Sequence, residues 1–168
     1  LILRVVGLLS GPGRVRVGAL ELGRLTEAAI RRRVGFLWQD PDDGLLLPRV
    51  LDDVCFGLLN DGWPAPEAEE RARAWLERLG IEDLASRAIR SLSGGERQLG
   101  ALAGVLAREP GLLLLDEPAA SLDRVARERL RTALEGLLAT QLMVTHDPQD
   151  WPGWRVAARL GWGSAPRA

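Results

Sequence analysis

Two groups of residues in this chain have the types and spacing of a catalytic site. The first is Ser93-Gly94-Gly95-Glu96, a serine, two glycines and a carboxylate at the head of a helical sequence. Glycines carry no Cβ, so their backbone N–H groups can approach a phosphate closely. The N-terminal end of the following helix adds positive charge. The second group is Asp116-Glu117, adjacent carboxylates that end the apolar run Leu112 to Leu115. Asp116 in that place can hold Mg2+, a hard cation that prefers oxygen ligands and retains waters. Glu117 beside it can orient or deprotonate an attacking water. Each group also has a plainer reading, as a capped helix start or an acidic turn after a core strand.

Three further positions join them. His146, the only histidine, follows Val144-Thr145 at a strand-like end. A lone histidine is most often structural, but after an Asp-Glu pair it can contact a γ-phosphate and orient the water. Ser121-Leu122-Asp123, just past the carboxylates, can cap the next helix and also reach across a subunit interface. Gln39 ends the stretch Val34 to Trp38 and is followed by Asp40-Pro41-Asp42-Asp43. That is either an acidic turn or a switch, in which the glutamine touches Mg2+ or the lytic water while its loop meets another subunit.

The pattern around these residues predicts the elements that position them. Leu1 to Leu9 reads as an apolar helical segment broken at Ser10-Gly11-Pro12-Gly13, and Arg14 to Val17 as a half-exposed strand. Thr26 is placed to cap a short helix through Arg32. Val34 to Trp38 and Leu112 to Leu115 read as buried strands, and Leu142 to Thr145 as a third strand. Val50 to Asn60, Pro66 to Leu79, Glu96 to Ala107 and Arg124 to Leu138 read as helices, the second closed by Gly80 and the third capped by Ser93. Strands alternating with helices imply a parallel α/β sheet with its polar chemistry at the strand C-terminal ends. Residues 48 to 107 contain helices and no convincing strand, which predicts a helical subdomain inserted in the α/β core of a single domain covering residues 1 to 168.

Bulk properties narrow the classes of function. A chain of 168 residues can bury a core of its own, and at 46% hydrophobic and 27% charged it has a globular composition. A net charge of −1 gives no bulk attraction to nucleic acid or to a membrane surface. The single cysteine, Cys55, excludes an internal disulfide and a cysteine-rich zinc module. No segment reaches the roughly 18 to 20 apolar residues of a membrane span. All 22 basic residues are arginine, and the chain contains no lysine.

With these motifs in this order, the chain resembles an ABC transporter ATP-binding subunit. Gln39 is similar to the Q-loop glutamine, and Leu92 to Glu96, continued by Gln98, to the signature motif. Leu112 to Glu117 resembles the Walker B strand with its catalytic glutamate, Ser121 to Asp123 the D-loop, and His146 the switch histidine. Gln39 to Asp43, with Asp53-Val54, Phe56-Gly57 and Asn60, is further similar to the energy-coupling-factor and cobalt-type importer ATPases. The resemblance implies a P-loop NTPase-like core, ATP and Mg2+ as cofactors, a second ATPase subunit and a transmembrane transporter subunit as partners, no nucleic-acid partner, and a place at the cytoplasmic face of a membrane. It implies catalytic roles for Glu117, His146 and Gln39, and Mg2+ ligation by Asp116 and Gln39. Nucleotide contacts fall to Ser93, Gly94, Gly95, Glu96, Ser121 and Asp123.

The sequence departs from the family in three places. The Walker A loop ends in Lys-Ser or Lys-Thr, which a chain without lysine lacks, and Leu1 to Leu9 looks like the segment that directly follows that loop. The expectation is an N-terminally truncated domain, inactive alone. An alternative is a non-catalytic partner that supplies one signature half-site to a heterodimer. Leu99 stands where the family commonly carries a basic residue, and after His146 the run Trp151-Pro152-Gly153-Trp154 breaks the helix the family would have there.

Overall fold

The computed structural model describes residues 7, 13–120 and 122–155. The segment Leu1 to Leu9, apart from Gly7, and the candidate Ser121 lie outside the described residues. In chain order the elements are β1 (Arg16–Val17), β2 (Leu20–Glu21), α1 (Glu27–Arg33), β3 (Val34–Leu37), α2 (Val50–Asn60), α3 (Ala65–Arg78), α4 (Gly94–Ala107), β4 (Leu112–Asp116), α5 (Arg124–Glu135) and β5 (Thr140–Val144). Short 3-10 turns lie at Pro41–Asp43, Glu82–Leu84, Ile89–Ser91 and Pro148–Asp150.

The sheet is parallel, in the order β3-β4-β5, as the alternation of strands and helices predicts. Its central strand, β4, is apolar from Leu112 to Leu115 because both of its faces are covered, and only its last residue, Asp116, is polar. Successive side chains of a strand point to opposite faces. Leu113 and Leu115 therefore enter the large core with Leu58, Leu76, Leu102, Leu106 and Leu130. Leu114 enters a smaller cluster with Val17, Ile30 and Val34. All three leucines are fully buried.

Helices α2 and α3 both pack on α4, and α4 packs on β3. The last contact is close: a Cβ on Gly35 would stand 2.6 Å from Val105 Cγ1 and 2.8 Å from Pro110 Cγ. Glycine at this strand position lets α4 and the turn after it approach the sheet.

Several local expectations are corrected. Arg16–Val17 is one arm of a hairpin with Leu20–Glu21, turned at Gly18 with φ +59°. Thr26 precedes α1 but does not cap it with its side chain. Its hydroxyl instead donates to the Glu21 carbonyl at 2.5 Å and accepts from Gly23 N at 3.0 Å, tying the hairpin to the helix start. Helix α5 stops at Glu135, three residues short of Leu138, as Gly136 closes it. β5 begins two residues before Leu142 and ends at Val144, so Thr145 lies beyond it. Around Trp151-Pro152-Gly153-Trp154 the chain makes a turn in which Trp151 is buried and meets the Trp154 ring edge-on, centroids 5.6 Å apart.

Candidate functional site

Register brings the chemistry to one edge of the sheet. Leu37 pairs with Leu115, Leu115 with Met143 and Asp116 with Val144. The residues that leave the three strands beyond those rungs are Gln39, Glu117 and His146. Asp116 is the last strand residue, half-buried beneath them. Burial, and after it the neighbouring Glu117, pushes the Asp116 carboxyl above its ordinary range.

Glu117 is held by its own chain on several sides. Its backbone N donates to the Val144 carbonyl at 2.9 Å. Glu117 Oε1 accepts from the backbone N of His146 at 2.8 Å and lies 2.7 Å from His146 Nδ1. Glu117 Oε2 accepts from the Thr145 hydroxyl at 3.3 Å. The backbone at Glu117 has φ +44°, in the left-handed region that disfavours residues with a Cβ. Backbone strain of this kind concentrates at functional sites. The hydrogen bond to Glu117, then its charge and that of Asp147, raise the His146 pKa above the ordinary imidazole value.

The start of α4 is a complete capping box. Ser93 Oγ accepts from Glu96 N at 3.3 Å, and the Ser93 N donates to Glu96 Oε2 at 2.7 Å. Those bonds to Ser93 hold the Glu96 carboxyl below its ordinary pKa. An open cleft of about 530 Å³ lies in front of this helix end, and its lining includes Gln39, Gly94, Arg97 and Asp116. Asp123 is the N-cap of α5, its Oδ1 accepting from Ala126 N at 2.8 Å.

Asp116 and Gln39 thus bring one carboxylate and one amide to a single cleft. That sparse set of oxygen donors fits Mg2+, which keeps several waters and shares its shell with substrate phosphates. The raised carboxyl of Asp116 is the kind of group a cation would stabilise. Among the described residues, no group of three or more His, Cys, Asp or Glu side chains forms a metal cage.

The structure also gives partners to Thr145, Gln98 and Arg97, to which the spacing assigned none. Thr145 bonds Glu117 and accepts from Asp147 N at 3.1 Å. Gln98 Nε2 donates to the Trp38 carbonyl at 3.1 Å, and Arg97 Nε pairs with Asp42 Oδ1 at 3.0 Å. Gln98 continues the signature-like run in sequence, but nothing there marks Trp38 as its partner, and Arg97 has no signal beyond its place beside Gln98. Thr145 had none beyond its place before His146.

Residues 2–120 match the family described as ABC transporter. A putative ABC transporter ATP-binding protein of Methanopyrus kandleri is 51% identical over 122 residues, which are 70% of this chain and 46% of that protein. A relative of the same description from Streptomyces avermitilis is 43% identical over 148 residues, 88% of this chain and 56% of that protein. This chain therefore spans about half the length of the curated relatives it matches. Among solved structures, cbiO1 from Clostridium perfringens, part of the ABC transporter complex cbiONQ, superposes with a TM-score of 0.74 at 32% identity. That match covers 90% of this chain and 63% of cbiO1. The dimeric ATP-binding cassette MJ0796, in a post-hydrolysis state with ADP and Pi, superposes with a TM-score of 0.71 at 28% identity, covering 83% of this chain and 65% of that one.

Proposed function

The chain belongs to the ABC transporter family of ATPase domains, and from that premise we propose that it is an ATP-binding subunit powering an importer of the energy-coupling-factor or cobalt type. The observation that carries this reading is the alignment of three parallel strand ends bearing Gln39, Asp116-Glu117 and His146. Phosphoryl transfer to water needs little covalent help from a protein. It needs a positioned water, neutralised charge and a held phosphate.

In this reading Glu117 is the base that orients the water, and its position is set beforehand by His146 and Thr145. His146 presents a ring with a raised pKa, able to donate toward developing phosphate charge. Asp116 and Gln39 hold Mg2+, which supplies charge neutralisation at the phosphates when bound. Ser93, Gly94, Gly95 and Glu96 lie at the α4 N-terminus, where N–H groups and the helix dipole favour an anion. On the family pattern, that phosphate belongs to a nucleotide held by a second ATPase subunit, with Ser121 and Asp123 near the interface between them.

A lysine-ended phosphate loop is absent from these 168 residues, which contain no lysine. Hydrolysis by this chain alone is therefore expected to be weak or nil, and its signature turn acts in a dimer with an intact partner. No described helix is long and apolar enough to cross a membrane. The similarity to cbiO1, part of a transporter complex, supports attachment to the cytoplasmic face of a membrane through a transmembrane subunit. Residues 48 to 107 form the helical signature subdomain in this reading.

The test is binding of a fluorescent ATP analogue, with Mg2+, to the purified chain and to its mixture with an intact ATPase subunit. Saturation and ATP turnover only in the mixture support the reading. Turnover in the isolated chain that disappears on Glu117→Gln overturns the dependence on a partner. Turnover in the mixture that survives Glu117→Gln but falls on Ser93→Ala identifies the chain as a half-site donor only.

A further inference from the structure

We propose that Gln98 and Arg97 are positioning residues: from the first turns of α4 they clamp the segment Trp38 to Asp42 on both sides of Gln39. The role of Gln39 itself rests on the functional reading above; the clamp rests on geometry alone.

Gln98 is only 2% exposed, one of the few polar side chains in the core. Its Nε2 donates to the Trp38 carbonyl, the last acceptor before Gln39. A carbonyl can only accept, so the amide nitrogen must face Trp38. That orientation leaves Oε1 buried without a hydrogen-bond partner among the described residues. A buried acceptor left unpaired is destabilising, and an apolar side chain of the same shape would avoid that cost. Packing therefore does not account for a glutamine here, whereas a tether to Trp38 does.

Arg97 grips the other end. Its Nε lies 3.0 Å from Asp42 Oδ1, an ion pair held by charge without hydrogen-bond geometry, while its Nη1 donates to the Leu92 carbonyl at 2.8 Å. The same guanidinium thus bridges the turn that holds Asp42 and the residue directly before Ser93. Asp42 is itself fixed by its backbone N, which donates to Asp40 Oδ1 at 3.0 Å. Gln39 lies between the two anchors, and Gln39, Arg97 and Gly94 line one cleft. A displacement of the Ser93-Gly94-Gly95 turn is carried to Gln39 through these contacts, so the two phosphate-facing elements move as one body.

The decisive variant is Gln98→Met, which preserves shape, removes the donor and removes the orphaned acceptor. Amide hydrogen exchange is measured on the whole chain, without nucleotide. Residues 39–44 should exchange about two- to tenfold faster, the loss of one neutral hydrogen bond, while α4 amides and Tm stay unchanged or Tm rises. Arg97→Met should also speed exchange there, and Arg97→Lys, which keeps a cation for Asp42, should recover part of the protection. Wild-type exchange at residues 39–44 in Gln98→Met overturns the clamp, as does faster exchange matched by a general fall in stability. Turnover is then measured in the assembled dimer. A loosened loop that lowers kcat with little change in nucleotide KM supports the positioning of Gln39. A loosened loop with unchanged turnover leaves the clamp standing and overturns the role assigned to Gln39.

Discussion

His146 meets Glu117 through two atoms at once, its backbone N at 2.8 Å and its ring Nδ1 at 2.7 Å from the same Oε1. The carboxylate stabilises the charged form of the imidazole, although the ring stays largely in solvent. The sign follows directly: the folded-state pKa of His146 is raised. Its contribution to stability is complete below the unfolded value near 6.5 and fades as pH rises through the folded value. NMR titration of this only histidine should show a midpoint above its unfolded value, and Glu117→Gln should lower it. A midpoint unaffected by that substitution means that the ring does not sense the carboxylate.

The capping box makes a second prediction. Ser93→Ala removes the side-chain acceptor for Glu96 N and should cost about 1 kcal/mol in urea unfolding. Glu96 has a lowered pKa, so its contribution is present above its unfolded value and is lost as pH falls through the folded one. Glu96→Gln keeps an acceptor for Ser93 N but cannot titrate. Part of the acid-induced loss of Tm should therefore vanish in Glu96→Gln. An identical acid limb in the two proteins would assign that loss to other carboxyls.

These two sites differ in how far they could be read from spacing. The start of α4 was legible because Ser93 and Glu96, three apart, satisfy each other's backbone needs within one turn. The central strand was legible because burial on both faces demands an unbroken run such as Leu112 to Leu115. Gln98 was recognisable as part of a motif, but its tether was not legible. Its partner, the Trp38 carbonyl, is 60 positions away in sequence, and only the packing of α4 on β3 brings them together. Alternation over Arg14 to Val17 marks the first arm of the hairpin, but Leu20–Glu21 is too short to show a period, so the pairing was not legible; Val17 is fixed by its contact with Ile30 and Leu114. Thr26 has the residue type of a cap, yet the Glu21 carbonyl takes its hydroxyl.

Gly35 tests the close approach of α4 to the sheet. A methyl group there would press on Val105 and on the Pro110 ring, which cannot rotate away. Gly35→Ala should destabilise the chain by about 1–3 kcal/mol in denaturant unfolding, the cost of overpacking a tight contact. Gly35→Ala combined with Val105→Ala should recover part of the loss, because the 2.6 Å contact disappears. A single variant as stable as wild type would show that the helix can shift outward freely.

Glu117 separates side-chain bonds from backbone strain. With φ at +44°, any residue with a Cβ is disfavoured there, and the bonds from His146 and Thr145 hold Glu117 in place despite that. Glu117→Ala keeps the strain and removes those bonds; Glu117→Gly removes both. The two variants share the same lost contacts, so their difference reports the backbone alone. Glycine loses more entropy on folding than alanine, which works against it by about 0.5–1 kcal/mol. The left-handed cost for alanine is about 1–2 kcal/mol, so strain wins. Glu117→Gly should therefore be the more stable of the two by about 1 kcal/mol in urea unfolding at neutral pH. Glu117→Ala the more stable of the two by about 0.5–1 kcal/mol, the entropy term alone, would mean that the chain relaxes to an ordinary φ once the carboxylate is gone, and that His146 and Thr145 impose the strained conformation.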